Sequence, residues 1–259
     1  MSFKNKVVLI TGASAGIGAT TAVQFAKEGA NVAIVGRNEA NLKEIVKQCE
    51  EFGVTALPIK ADVTKEEETN TIVKQTIDKF GKLDVLVNNA GIFRSAAITG
   101  PELLSTYHEV LNTNLKPVVQ LTNLAAPYLE QTKGNIVNVS SVLSKSLLQG
   151  PQYTIYGMSK AALDHFSRGS ALEFGAKGVR VNVVAPGPVL TGMLKANGGE
   201  ENKVITALDR VSEPEEVADV ILFLASDKAK GVTGAYYTVD NGVLVKRCLY
   251  KQCEKCTYS

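Results

Sequence analysis

The segment Thr11-Gly12-Ala13-Ser14-Ala15-Gly16-Ile17-Gly18 constrains this chain more than any other. It lies between an apolar run, Val7–Thr11, and a helical pattern over Ile17–Glu28. Three glycines after a first strand let the backbone turn tightly and approach a pyrophosphate. The helix N-terminus that follows offers unpaired N–H groups to the anion. The spacing is G-x3-G-x-G rather than G-x-G-x-x-G, and a glycine triplet alone is weak evidence. The strand before it and the helix after it give it a dinucleotide-binding meaning, with Gly12, Ser14, Gly16, Ile17 and Gly18 against the phosphates.

The rest of the chain continues the same alternation. Strands are expected at Val7–Thr11, Val32–Gly36, Thr55–Lys60, Leu83–Asn88, Asn135–Val139, Val179–Ala185 and Tyr236–Val239. They are β-branched and mostly continuous, as parallel strands buried on both faces should be. Helices are expected at Ile17–Glu28, Glu39–Phe52, Lys65–Phe80, Ser105–Glu130, Tyr156–Phe174 and Pro214–Ala225. Pro117 and Pro127 predict a kink, or two helices, within Ser105–Glu130. The fold class is therefore α/β: a single Rossmann-like domain, a doubly wound parallel sheet of about seven strands with helices on both faces. The domain is expected over residues 1–245, followed by a polar, Cys-containing, disordered tail at 246–259.

The end of the second strand bears on cofactor choice. In NAD-binding sheets an acid about 20 residues past the turn holds the ribose 2′-hydroxyl. Here Gly36-Arg37-Asn38 stands in that place, with Arg37 nineteen residues beyond Gly18 and no acid before Glu39. A guanidinium can clamp a 2′-phosphate through charge-assisted hydrogen bonds. NADP(H) is therefore expected over NAD(H), with Ser14 and Asn38 as auxiliary donors, and NAD(H) stays open as the alternative.

Composition excludes other classes. Lys plus Arg total 28 against 26 Asp plus Glu, so the basic surplus of a nucleic-acid or anionic-membrane binder is absent. Residues 247–259 carry the whole net charge of +2, and the preceding 246 residues are neutral. No window reaches about 18 uninterrupted apolar residues, so no membrane span is expected. The first apolar run is stopped by Thr11-Gly12 and is no secretory core. Three of the four cysteines, Cys248, Cys253 and Cys256, crowd the tail, where a lone C-x2-C makes zinc unexpected. The only histidines, His108 and His165, make no metal site. A cytoplasmic small-molecule enzyme fits these facts.

Further motifs follow in order. They are Asp62-Val63, Asn88-Asn89-Ala90-Gly91, Asn114 in Asn112-Thr113-Asn114-Leu115, Ser140-Ser141, and Tyr156-Gly157-Met158-Ser159-Lys160. Arg180-Val181-Asn182, Pro186-Gly187-Pro188-Val189-Leu190-Thr191, Leu222–Asp227 and Val232-Thr233-Gly234 complete the series. With the Thr11–Gly18 turn, this set resembles the short-chain dehydrogenase/reductase family over nearly all of Lys4–Val245. The resemblance implies that Asp62 and Val63 touch the adenine ring. It also places Asn89, Ala90 and Gly91 along the cofactor, and Pro186, Gly187, Val189 and Thr191 beside the nicotinamide.

The chemistry explains the residue types. Reducing a carbonyl needs a proton donor at its oxygen, and a free tyrosine, with a pKa of about 10, gives up its proton reluctantly. Tyr156 and Lys160 are four apart on an expected helix and share a face. A cation there is expected to lower the phenol pKa, making Tyr156 the general acid in reduction and the base in oxidation. By resemblance, Lys160 also bonds the nicotinamide ribose, Ser141 rather than Ser140 holds the substrate oxygen, and Asn114 supports a water relay from Lys160. Tyr153 lacks a lysine four residues on and is read as lining the cleft or packing.

Ser141 and Tyr156 are fifteen apart, about two more than the family commonly has, which leaves the substrate open more than the chemistry. Ser144 stands where the family often has glycine, and Asp240-Asn241-Gly242 where it has D-G-G. The glycine-containing segment between Thr191 and Pro214 is expected to be a mobile flap. Candidate substrates are 3-oxoacyl thioesters, small ketones, and steroid or isoprenoid alcohols. The alternative outside catalysis is a dinucleotide-sensing or scaffold protein on the same fold. A homo-oligomer, tetramer or dimer, is implied through the helices of Ser105–Glu130 and Tyr156–Phe174, where Ala161, Ala162, Leu163 and Phe166 exceed one core face.

Overall fold

Seven strands form one parallel sheet: β1 (Val7–Thr11), β2 (Asn31–Gly36), β3 (Ala56–Lys60), β4 (Val85–Asn88), β5 (Asn135–Val139), β6 (Arg180–Pro186) and β7 (Tyr236–Val239). This computed structural model describes residues 1–147, 150–196 and 206–246. The crossovers are α1 (Gly16–Lys27), α2 (Glu39–Glu50), α3 (Glu66–Phe80), α4 (Leu103–Asn114), α5 (Lys116–Thr132), α6 (Thr154–Gly175), α7 (Gly192–Ala196) and α8 (Pro214–Ala225). The continuous apolar strands have a simple cause. In β1, Val8 and Ile10 join the core built with α1, α2 and α8, while Val7 and Leu9 join the core built with α3, α5 and α6. In β2, Val32 and Ile34 face the first layer, and Ala33 and Val35 the second. Alternate side chains point to opposite faces, and both faces are dry.

The strand order is β3-β2-β1-β4-β5-β6-β7. The chain winds one way from β1 through β2 to β3, and the other way from β4 onward. The connections leaving β1 and β4 therefore diverge, and a crevice opens beyond their carboxyl ends.

The expected helix over Ser105–Glu130 is two helices, α4 and α5. The break falls at Leu115, whose φ of −123° and ψ of −56° leave the helical range, and Pro117 opens α5. Pro127 does not interrupt α5. It is exposed, as is Asn123 one turn earlier, so the carbonyl that loses its partner faces water. The short α7 begins the expected flap, whose residues 197–205 lie outside the described residues, as do 148–149 and the tail from 247. Among the described residues no helix is long and apolar enough to cross a membrane, and no cluster of His, Cys, Asp or Glu could hold a metal.

Candidate active site

The glycine turn is built by close approach. Gly12 has φ of +66°, and a Cβ there would sit 2.8 Å from the Ala90 Cα. Gly16 has φ of +55° and faces the Thr191 side chain, 3.2 Å from where its Cβ would lie. The turn is tied to β4 by Thr11, whose Oγ1 accepts from the Asn89 and Ala90 N–H groups, each at 3.0 Å. The Asn89 carboxamide donates back to the Thr11 and Gly12 carbonyls at 2.9 and 3.2 Å. Thr11 was not singled out from the sequence as this hub.

Gly18 serves packing. A Cβ there would lie 2.4 Å from the Gly12 carbonyl oxygen, which is backbone and cannot give way. Gly18→Ala is expected to cost about 1–3 kcal/mol of stability, read by thermal melting. No side chain caps α1 at Ala15, and its first turn holds no acid, so its leading N–H groups are free to meet an anion.

These elements wall a cleft of about 380 Å³. Gly12, Ser14, Gly16, Ile17, Arg37, Asp62, Val63, Asn89, Ala90, Gly91 and Thr191 all line it. Ile92, Thr64, Thr113 and Met193 line it too and were not among the expected site residues. Gly18, Asn38, Pro186, Gly187 and Val189 are not among the lining residues, nor are Asn114, Ser141, Tyr156 and Lys160. The Asn38 side-chain oxygen caps α2, accepting from the Asn41 N–H at 3.1 Å. Gly187 packs its backbone on Asp240, and Val189 is buried in the core.

At the Arg37 end of the cleft, Asp62 is the one acid among the described lining residues. Burial pushes its carboxyl up, but hydrogen bonds from Thr64 and the charges of Arg37 and Lys65 outweigh this and hold it below the ordinary range. The Arg37 guanidinium lies 3.9 Å from it and is 74% exposed. Glu39, the first acid after β2, is engaged by Lys43 and Lys60 at 3.0 and 3.3 Å.

At the other end, Asn114, Ser141, Tyr156 and Lys160 are all buried. Ser141 neighbours the Tyr156 phenol and works to lower its pKa, and the Ser141 Oγ accepts from the Leu143 N–H at 3.2 Å. Ser140, the competing serine, turns inward, toward the Lys160 carbonyl and the Asp164 carboxyl. The Lys160 Nζ donates to the Val139 carbonyl at 2.8 Å, at the end of β5. Asn114 ties the loop after β4 to α6, exchanging bonds of 2.8 and 3.0 Å with the Ile92 backbone and donating to Ser159 Oγ at 3.2 Å. A Cβ at Gly91 would lie 3.3 Å from Asn114 Oδ1 and 3.6 Å from Lys160 Nζ, so the cleft floor and the lysine meet there.

One expectation is overturned. The Tyr156 pKa is not lowered on balance: burial pushes the phenol up to about 12, opposed by the neighbouring Ser141 hydroxyl. The lysine's Nζ stands 5.9 Å from the ring centroid. Burial pulls Lys160 itself down to about 8, against the charge of Asp164. Low polarity disfavours the charged form of either group, and this desolvation outweighs their proximity.

Tyr153 packs. Its ring stacks on Phe93 at 4.7 Å, and Phe93 meets the Tyr156 ring edge-on at 4.7 Å. Phe93 was not foreseen as part of this wall.

A family model described as enoyl-(acyl carrier protein) reductase matches residues 12–244. A 3-oxoacyl-[acyl-carrier-protein] reductase, FabG, of Thermotoga maritima is 39% identical over 249 residues, covering 95% of this chain and all of that protein. A solved short-chain dehydrogenase from Burkholderia cenocepacia, in complex with NADP, superposes with a TM-score of 0.88 at 30% identity, covering 95% of this chain and 100% of that one. L-Sorbose reductase from Gluconobacter frateurii, complexed with NADPH and L-sorbose, gives 0.87 at 32% identity, covering 95% and 98%.

Proposed function

Because this chain belongs to the short-chain dehydrogenase/reductase family and is an NAD(P)-dependent oxidoreductase of carbonyl and alcohol groups, we propose that it reduces a ketone with NADPH. The leading substrate class is a 3-oxoacyl thioester, the group named for the Thermotoga maritima relative. The carrying observation is the neighbouring Ser141 and Tyr156 hydroxyls, buried beside Lys160 where the cleft floor ends.

The chain fits the cofactor. The uncapped N-terminus of α1 and the cradle at Gly12 and Gly16 suit a pyrophosphate. Arg37 suits a 2′-phosphate, with Ser14 beside it and Asp62 and Val63 along the adenine side. When bound, NADPH supplies the hydride that the carbonyl carbon receives. The rest falls to side chains. Ser141 and Tyr156 offer two hydroxyls to one substrate oxygen, stabilising the charge that grows there. Tyr156 gives its proton to that oxygen, and the Lys160 ammonium stabilises the phenolate left behind. Asn114 holds the loop against α6 at the point where protons return from solvent to Lys160.

The family model's description favours a second reading, reduction of an enoyl double bond. Two hydroxyls converging on one oxygen suit a carbonyl better. The test offers NADPH with a 3-oxoacyl thioester or a trans-2-enoyl thioester and follows absorbance. Consumption with the ketone alone is expected. Turnover of the enoyl substrate alone would replace the first reading with the second.

We also assign a homo-oligomer, dimer or tetramer. Leu104 on α4, Val119 on α5 and Leu172 on α6 are exposed apolar residues supporting a second copy on these helices. Leu163, counted among the surplus in the sequence, is buried in the core. A sedimenting monomer at all concentrations would end this assignment. The free, buried Cys49 fits a reducing compartment, the cytoplasm.

A further inference from the structure

The far edge of the sheet sends one tyrosine back to the catalytic serine, and no step above uses it. Tyr236 opens β7, and its hydroxyl lies 3.1 Å from the Ser141 carbonyl oxygen and 3.1 Å from Ser144 Oγ. The Lys145 ammonium sits over the same ring, 3.3 Å from its centroid. A carbonyl only accepts, so the single phenolic proton goes to Ser141, and Ser144 donates to the phenol oxygen. Burial pushes the Tyr236 phenol up to about 12, so the proton is retained at any working pH.

The bond acts on a particular torsion. Ser141 has φ of −164° and ψ of 153°. Its carbonyl is held from β7, while its Oγ receives the Leu143 N–H and neighbours the Tyr156 phenol. With the carbonyl fixed, ψ is fixed, and so is the distance from Oγ to the Leu143 N–H that aims the hydroxyl. Ser144, a departure from the family pattern in the sequence, gains a partner here that a glycine would lack.

We propose that Tyr236 is a positioning residue for the reaction: by holding the Ser141 carbonyl across the sheet, its hydroxyl sets the direction of Ser141 Oγ at the substrate oxygen. This rests on the assignment of Ser141 to that oxygen.

Tyr236→Phe keeps the ring and its contact with Lys145 and removes only the hydroxyl. It is expected to lower kcat about five- to tenfold, the worth of one neutral hydrogen bond, with KM for NADPH unchanged and melting near wild type. In a Ser141→Ala background the same change is expected to alter kcat by less than about twofold, because a residue acting through Ser141 has nothing left to act on. Ser144→Ala leaves the Tyr236–Ser141 bond in place and is expected to cost less than about twofold.

Three results would overturn the inference alone: wild-type kcat in Tyr236→Phe, an equal loss from Tyr236→Phe in both backgrounds, or a Ser144→Ala loss as large as that of Tyr236→Phe. Full activity in Ser141→Ala would instead remove the assignment of Ser141, and the inference with it.

Discussion

Tyr156→Phe is expected to lower kcat for carbonyl reduction by about 10²–10⁴-fold, the usual worth of a positioned general acid. The ring, its edge-on contact with Phe93 and the helix it sits on all remain, so melting temperature and NADPH binding should be near wild type. Rates with NADPH, together with nucleotide binding by fluorescence, separate the two quantities. Turnover equal to the parent would sink the catalytic reading and favour a protein that binds the dinucleotide without using it. The pH profile adds a second check. Tyr156 stands at about 12 and stays protonated, ready to donate, throughout the usual range. Lys160 stands at about 8, so its ammonium is present below that pH and lost above it. Reduction is therefore expected to fall as pH rises through about 8, as the charge that stabilises the phenolate disappears. A Lys160→Met variant should be slow at every pH and lack that limb.

The Tyr156–Lys160 pair also shows where sequence reasoning stops. Spacing on a helix places two side chains on one face, and that holds. The direction of a pKa shift depends on how much water is left around them, and water exclusion comes from Phe93, Val139 and the α4–α6 contact, which are distant in sequence. The inner strands were readable because burial on both faces leaves a short, largely apolar, β-branched run, whereas β3 and β7 at the sheet edges are partly exposed. The break at Leu115 was readable only as an alternative, since Pro117 permits a helix start as easily as a kink. Asn38 follows the same logic. An asparagine next to Arg37 resembles a phosphate donor, yet an asparagine before Glu39 also resembles a helix cap, and the bond to Asn41 shows it caps. Tyr236 and Ser144 meet only because β7 lies beside β6, a neighbour relation set by topology.

Arg37 carries the largest expected change in cofactor choice. Its guanidinium lines the cleft, 74% exposed, and its only ion-pair partner among the described residues, Asp62, is 3.9 Å away. An exposed pair at that distance contributes little, so the guanidinium is free to turn to a 2′-phosphate. A charge-assisted hydrogen bond is worth about 1.5–3 kcal/mol, and a guanidinium can make two to one phosphate. Arg37→Ala removes the attraction alone and is expected to lower kcat/KM for NADPH by about 10–100-fold, leaving NADH nearly unchanged. Arg37→Asp adds repulsion against the phosphate and an acceptor for a ribose 2′-hydroxyl. It is expected to lower NADPH efficiency by about 10²–10³-fold and raise that of NADH, reversing the preference. Steady-state kinetics with both cofactors measure this directly. If either variant lost efficiency equally with NADPH and NADH, Arg37 would be serving the shape of the β2–α2 corner, and selection for the 2′-phosphate would have to lie elsewhere in the cleft.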